Sequence, residues 1–269
     1  MNEEIIKVAP EVVKTTLPQL ANSVYQDLLS PAMKKAGQAL GNVIDFATLS
    51  FIPLEYVSAR IRMNIDKNLK NYQKKLDAVP ENEIRNVEPE IGVPIVEKLS
   101  YTTCEEIAEM YTTLLAKAST TATVKQAHPS FIQFLERMSV DEARILKYLD
   151  KNSFFVCALP RYYKNETEFL EIETDITDLV SKIEMLFPQN INSYIDNLCS
   201  IGVILRKTGN YKMNDELYKP LVKIGEQLSN IRKAQGISFT KIEYDKSYYE
   251  VTALGRAFIK ACLSPVMHK

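Results

Sequence analysis

Apolar residues in the first half of the chain recur at helical rather than strand spacing. The sharpest stretch begins at Thr103, where Ile107, Met110, Tyr111, Leu114, Leu115 and Ala118 fall at i, i+3, i+4, i+7, i+8 and i+11. Thr103-Cys-Glu-Glu106 has the spacing of a capping box ahead of that helix. An earlier stripe runs through Val12, Val13, Leu17, Leu20, Val24 and Leu28, broken at Pro18. Ser30-Pro31 opens a second helix, with Ser30 as N-cap and Pro31 at the first helical position, where a missing N–H costs nothing. Pro53 interrupts the next apolar run, and Leu54–Leu76 follows as a long helix with a face of Arg60, Arg62, Lys67, Lys70, Lys74 and Lys75. Val79–Pro94 holds three prolines and four glutamates and reads as a connector. Beyond the polar loop Ser119–Gln126, His128-Pro129-Ser130 opens a helix over Phe131–Met138.

From Ser139 the pattern changes. Ser139-Val-Asp-Glu142 is again a capping box, leading into Ala143, Ile145, Leu146 and Leu149. The periodicity predicts helices over Asp175–Phe187 and Ile191–Ser200, the latter stopped by Gly202, and then a short strand over Ile201–Leu205. Leu217, Leu221, Ile224, Leu228 and Ile231 share one face of an inserted helix near residues 215–234. Alternation over Ser238–Tyr244 and Ser247–Val251 predicts two strands of a hairpin turning at Asp245-Lys246, and Thr252 caps a final helix over Ala253–Leu263. The fold class is therefore mainly α. A helical domain over 1–138 precedes a winged helix-turn-helix-like domain over 139–269, with a small β-wing and one extra helix.

Composition narrows the chemistry. Glycine is 8 of 269 residues, which disfavours Gly-rich phosphate loops and favours helices. There are two histidines, His128 and His268, and the four cysteines, Cys104, Cys157, Cys199 and Cys262, form no CxxC grouping. No P-loop, dinucleotide, zinc-protease or nucleophile-elbow motif is present, so neither a cofactor nor a catalytic residue is expected. His128 sits at a helix start, where an imidazole satisfies an exposed backbone group. Met1-Asn2-Glu3-Glu4 is acidic where a secretory leader is basic, and with unpaired cysteines this points to the cytoplasm. The segment Ala36–Leu54 carries only Asp45 as a charge and has Gly37 and Gly41 at GxxxG spacing. Its Gln38, Asn42, Thr48, Ser50 and Pro53 argue against an unassisted membrane span, and its small residues suit close helix packing.

The net charge of −1 conceals an uneven distribution, because residues 191–269 carry 12 basic against 7 acidic residues. The recognition-helix candidate, residues 191–200, nevertheless has no Lys or Arg and contains Asp196. Contacts to a nucleic acid or a partner would fall to Asn192, Ser193 and Asn197 on that helix and to Arg206, Lys207 and Lys246 nearby. A DNA-binding regulator is thus an alternative to a protein-binding module, and a membrane-disrupting effector acting through Ala36–Leu54 is a second. The pattern also permits a homo-oligomer.

One combination of segments resembles a known family. It comprises the small-residue helix Leu28–Gly41 after Ser30-Pro31, the long basic helix, and Glu88-Pro-Glu-Ile-Gly-Val-Pro-Ile-Val-Glu97. The acidic helix ending Tyr111-Thr-Thr-Leu-Leu-Ala-Lys-Ala118 follows, then Ala127-His-Pro-Ser-Phe through Ser-Val-Asp-Glu-Ala-Arg-Ile-Leu146. Together they resemble the abortive-infection alpha family of bacterial proteins over about residues 28–265, the His-Pro-Ser-Phe to Asp-Glu-Ala block being the most specific part. The resemblance implies a role in phage exclusion and carries no catalytic motif, with His128, Pro129 and Phe131 as structural signature. The expectation is a non-enzymatic component of antiviral defence that binds or senses a phage or host protein.

Overall fold

The computed structural model describes residues 30–50 and 59–266. The stripe from Val12 to Leu28, Pro53, Leu54 and the end of the Ala36–Leu54 segment, and His268, lie outside the described residues. The protein is mainly helical with one small, curled, four-stranded antiparallel sheet. The chain forms two compact units, one taking the residues through Glu136 and those from Lys260 onward, the other Arg137–Ile259.

In the first unit a 3-10 turn at Pro31–Met33, preceded by Ser30, leads into α1 (Lys34–Ser50). Next come α2 (Ala59–Asp77), α3 (Pro89–Tyr101), α4 (Glu105–Ala118) and α5 (Ser130–Glu136). The apolar stripe predicted from Ile107 lies on α4, but α4 is not a half-exposed helix. From Met110 to Ala118 every residue is buried, because α2, α3 and α5 pack around it. Hydroxyls on so enclosed a helix need partners, and Thr112, Thr113 and Ser119 each bond a carbonyl three or four residues back. The Tyr72 hydroxyl of α2 also meets Ser119 Oγ. The C-terminus of α2 is closed by Lys35, whose Nζ donates to the carbonyls of Leu76 at 3.1 Å and Asp77 at 3.0 Å.

Three expectations for this unit change. The connector Val79–Pro94 contains the start of α3, with Pro89 in its first turn and Pro94 inside the helix. The N-cap of α4 is Cys104, with no side-chain cap bond, so Thr103 does not complete a capping box. The close-packing glycine is not Gly41, whose added Cβ would meet nothing within 4 Å. It is Gly92 of α3, where a Cβ would stand 2.3 Å from Val43 of α1. Ala36 and Ala39 of α1 are fully buried, as small residues facing a neighbour should be. The expected role of His128 is seen: its Nδ1 accepts from the Ser130 amide at 3.2 Å at the start of α5.

Lys117 on α4 is 2% exposed. Its Nζ donates to Gln126 Oε1 at 3.0 Å and to the carbonyl of Lys260 at 2.5 Å. Burial pushes its pKa below the usual lysine value; the Cys262 side chain opposes this and the Lys260 charge adds to it.

In the second unit α6 (Val140–Asn152) runs into β1 (Phe154–Tyr163) and β2 (Phe169–Leu170). Then follow α7 (Leu179–Lys182), α8 (Ile191–Ser200), β3 (Ile204–Arg206), α9 (Lys219–Ala234), β4 (Lys241–Val251) and α10 (Ala253–Cys262), whose last residues group with the first unit. The sheet order is β2-β1-β4-β3, antiparallel throughout. β1 and β4 pair from Phe154↔Glu250 to Tyr163↔Lys241. Val156 and Ala158 of β1 pack against Tyr218, Leu221 and Ile176, which places α9 over one face of the sheet.

The Asp245-Lys246 hairpin does not form. Both residues lie inside one continuous strand, paired with Leu159 and Ala158, since β1 offers an unbroken partner and a turn there would forfeit the ladder. The helix expected over Asp175–Phe187 shrinks to α7. Its start is drawn to the sheet, where Ile176 bridges Ala158, and the amides of Leu186 and Phe187 bond to Asp141. Gly202 ends α8 at φ +74°, and the Thr252 hydroxyl accepts from the Gly255 amide at 2.8 Å in the first turn of α10. The inserted helix is present as a 3-10 turn at Asp215–Tyr218 followed by α9.

A Cβ at Gly255 would lie 2.1 Å from the Val203 carbonyl oxygen, so Gly255→Ala should lower stability by about 1–3 kcal/mol. Gly41→Ala, on an open helical position, should be neutral or raise stability by up to about 1 kcal/mol; urea unfolding of both variants measures the contrast. Lys117 holds its proton more weakly folded than unfolded, so its contribution to stability should rise with pH from the depressed value up to about 10.4 and be least favourable below it. The stability difference between wild type and Lys117→Met should therefore shift toward wild type across that alkaline window, read from melting temperatures in a pH series.

Candidate interaction surface

The N-terminus of α6 organises the surface of the second unit. Ser139 caps it in a complete capping box: its amide donates to Glu142 Oε2 at 2.6 Å, and its Oγ accepts from the Glu142 amide at 3.3 Å. Asp141, 1% exposed, accepts from the amides of Leu186 (2.8 Å) and Phe187 (2.9 Å) and from the Tyr194 hydroxyl (3.1 Å). Three donors compensate the cost of burying that carboxylate. The loop ahead of α8 and α8 itself are thereby tied to α6, and Leu186 and Phe187 are left 56% and 55% exposed.

That arrangement decides what the predicted contact residues can do. Asn197 on α8 is spent internally: its Nδ2 donates to the Arg137 carbonyl at 2.9 Å and to Glu142 Oε1 at 2.5 Å, and its Oδ1 accepts from Arg137. Asn192 is half-buried, and Ser193 and Asp196 are exposed. The outer face of α8 is therefore uncharged except for an acid.

The predicted cations are each paired. Arg206 makes a bidentate contact with Asp175 (Nε–Oδ2 2.5 Å, Nη2–Oδ1 2.9 Å), and Tyr249 also donates to Asp175 Oδ2 at 2.8 Å. The hydrogen bond to Asp175 raises the Arg206 pKa further above the arginine range. Burial first, and Asp175 second, push the Tyr249 phenol up. Lys207 pairs with Glu250 at 2.7 Å, and Lys246 with Asp215 at 2.7 Å. Arg232 pairs with Glu173 at 2.7 Å and Arg161 with Glu171 and Asp245 at 3.1 Å each. Arg206 and Lys207 adjoin on β3 and just after it, whereas Lys246 belongs to a different feature beside β4.

That feature is an open cleft of about 580 Å³, lined by Gly209, Tyr211, Met213 and Asp215 from the segment after β3 and by Tyr244, Asp245 and Lys246 of β4. Met213 is 93% exposed and Tyr211 59%. Lys212 between them turns inward, its Nζ 3.9 Å from the centroid of the Tyr248 ring. Of these residues only Lys246 was expected from the sequence as a contact. The signal for the rest was isolated large apolar side chains in a turn-forming stretch, Thr208-Gly-Asn-Tyr-Lys-Met-Asn214.

Nothing in this unit marks a reactive thiol. Burial pushes the Cys157 thiol up, with Asp175 adding to the shift, and pushes Cys199 up to about 11. Among the described residues no group of three or more His, Cys, Asp or Glu side chains is placed to hold a metal, and no helix is long and apolar enough to cross a membrane.

Fold and surface together define a mainly helical protein with a sheet-bearing unit, in which the predicted cations are paired and large apolar side chains border a cleft. The chain belongs to the abortive infection alpha family, whose sequence model matches residues 62–262. No curated protein matches it. A solved structure of an uncharacterised protein from the marine bacterium Alcanivorax borkumensis SK2 is 19% identical over 52% of this chain and 94% of its own, with a TM-score of 0.35. So loose a superposition carries neither a fold nor a function.

Removing Asp141 strands two partly buried amides and a buried hydroxyl, so Asp141→Ala should lower stability by about 3 kcal/mol and loosen the loop before α8. Lys207→Ala, which loses one surface ion pair, should leave the unfolding midpoint unchanged; chemical denaturation monitored by circular dichroism separates the two.

Proposed function

We propose that the chain acts in abortive infection by binding a phage or host protein through its sheet-bearing unit, without catalysing a reaction. The observation that carries this is the pairing of the cations: Arg206, Lys207 and Lys246 each meet a carboxylate, while Met213, Tyr211, Leu186 and Phe187 stand exposed. A polyanion needs unpaired cations aimed at its phosphates, whereas a protein partner is met by exposed apolar and aromatic side chains. The order α6, β1, α7, α8, β3, β4, α10, with β4 between β1 and β3, supports a winged-helix reading in which the wing has been replaced by the 207–240 insert. In that reading α8 takes the place of a recognition helix but presents Ser193 and Asp196 instead of cations.

Cells expressing the chain should resist phage challenge, and a double variant, Lys207→Gln with Lys223→Gln at an exposed lysine of α9, should protect as well as wild type at equal abundance. Purified protein should give no salt-sensitive gel shift with duplex DNA. Loss of protection in the double variant, together with a shift that weakens steeply as salt rises, would replace this reading with the DNA-binding one.

A further inference from the structure

The ladder between β3 and β4 is short, and its end is abrupt. β3 pairs only with Tyr249–Val251, and the last bond runs from the Lys207 amide to the Tyr248 carbonyl at 2.9 Å. The chain then turns at Gly209, φ +73°, and the Asn210 amide bonds back to Lys207. Backbone groups of an antiparallel strand point alternately to either side. In β4 the Val251 amide bonds Ser153 on the β1 side and the Tyr248 carbonyl faces β3. By that alternation odd-numbered residues bond β1, and the amides and carbonyls of Lys246, Tyr244 and Ile242 face away from it. No partner among the described residues takes them. The cleft lined by Tyr211, Met213, Tyr244 and Lys246 lies along the same stretch.

We infer that this edge of β4 accepts an extended segment of a protein partner as an added antiparallel strand. The inference rests on the protein-binding reading above and names its surface and the form of its ligand. A row of free donors and acceptors at strand spacing is matched by another extended backbone, while the cleft beside it receives alternate side chains. The two faces of β4 set what those side chains are. Beside Tyr244, the incoming strand meets Tyr211 and the exposed Met213, which favour apolar residues. The alternate side chains of β4 include Glu243 and Asp245, the latter reaching the cleft rim; Lys241 balances Glu243, but Arg161 is shared between Asp245 and Glu171, which leaves one carboxylate charge unbalanced. Opposite charges pair favourably across strands, so the intervening residues are basic. The partner segment therefore alternates apolar and basic side chains.

A synthetic peptide alternating valine and lysine, titrated into the full chain and followed by fluorescence polarisation, tests this. The valines share the face of Tyr244, so their amides point at β4 and the lysine amides point away. N-methylation of the valine amides should weaken binding at least about tenfold, while N-methylation of the lysine amides leaves it intact. A valine–glutamate peptide should bind more weakly than the lysine one. Lys246→Pro removes one outward donor at a position whose amide does not bond β1, and should weaken the valine–lysine peptide well beyond Lys246→Ala, which loses the same Asp215 pair but keeps the amide. No saturable binding at millimolar peptide, equal effects of the two methylation patterns, or binding to Lys246→Pro no weaker than to Lys246→Ala would each overturn the inference. In phage-challenged cells the outcomes separate. A wild-type chain that gives no protection sinks the functional reading, whereas protection that persists in Lys246→Pro sinks only the role of this edge.

Discussion

The sheet-bearing unit depends on the antiparallel ladder between β1 and β4, which joins segments far apart in the chain, from Tyr163↔Lys241 to Phe154↔Glu250. All of its other features are placed by that pairing. β2 and the Ile176 bridge add to the outer side of β1, β3 adds to the end of β4, and α9 covers the face presented by Val156 and Ala158. Across the ladder Phe155 and Tyr249 stack with ring centroids 5.1 Å apart. Even Pro160 is accommodated, because the even-numbered residues of β1 turn their backbone nitrogens away from β4. So long a pairing closes a large loop, whose entropic cost grows only slowly with length.

A second theme is that buried charged and polar side chains serve as tethers. Asp141 gathers two loop amides and a phenol, and Asp175 gathers Arg206 and Tyr249 across the sheet. Lys117 joins α4 to the carbonyl of Lys260 in the helical unit. Each spends its charge on internal donors or acceptors, which is why charge counted along the chain overstates what the surface offers a ligand. Of the cations after residue 191, Arg206 and Arg232 are met by Asp175 and Glu173 from earlier in the chain, and Lys207 and Lys246 by Glu250 and Asp215 within that stretch.

The helical half was the more legible in sequence, because a 3.6-residue period over α4 and a capping signal at Ser139 are local properties. The stop at Gly202 and the start at Thr252 were legible for the same reason. β1 was not, since Phe154–Tyr163 is a short apolar run with a proline inside it and no alternation to separate strand from loop. Missing β1 made β4 look like a hairpin, for Asp245-Lys246 has turn-like polarity and only its distant partner shows that it is mid-strand. Of the candidate contacts, Lys246 does border the cleft, whereas Asn197 and Arg206 are committed to Glu142 and Asp175 by contacts that span 55 and 31 residues.

What the sequence determined by itself is therefore whatever depends on neighbours a few residues away: the helices of the first unit, the caps, the glycine stops, the absence of familiar catalytic motifs and the segments shared with the abortive infection alpha family. Which strands pair, which cations are neutralised and which strand edge remains open were decided only by tertiary structure. Those properties depend on backbone and charge partners brought together from far along the chain, and no local period or motif encodes who those partners are.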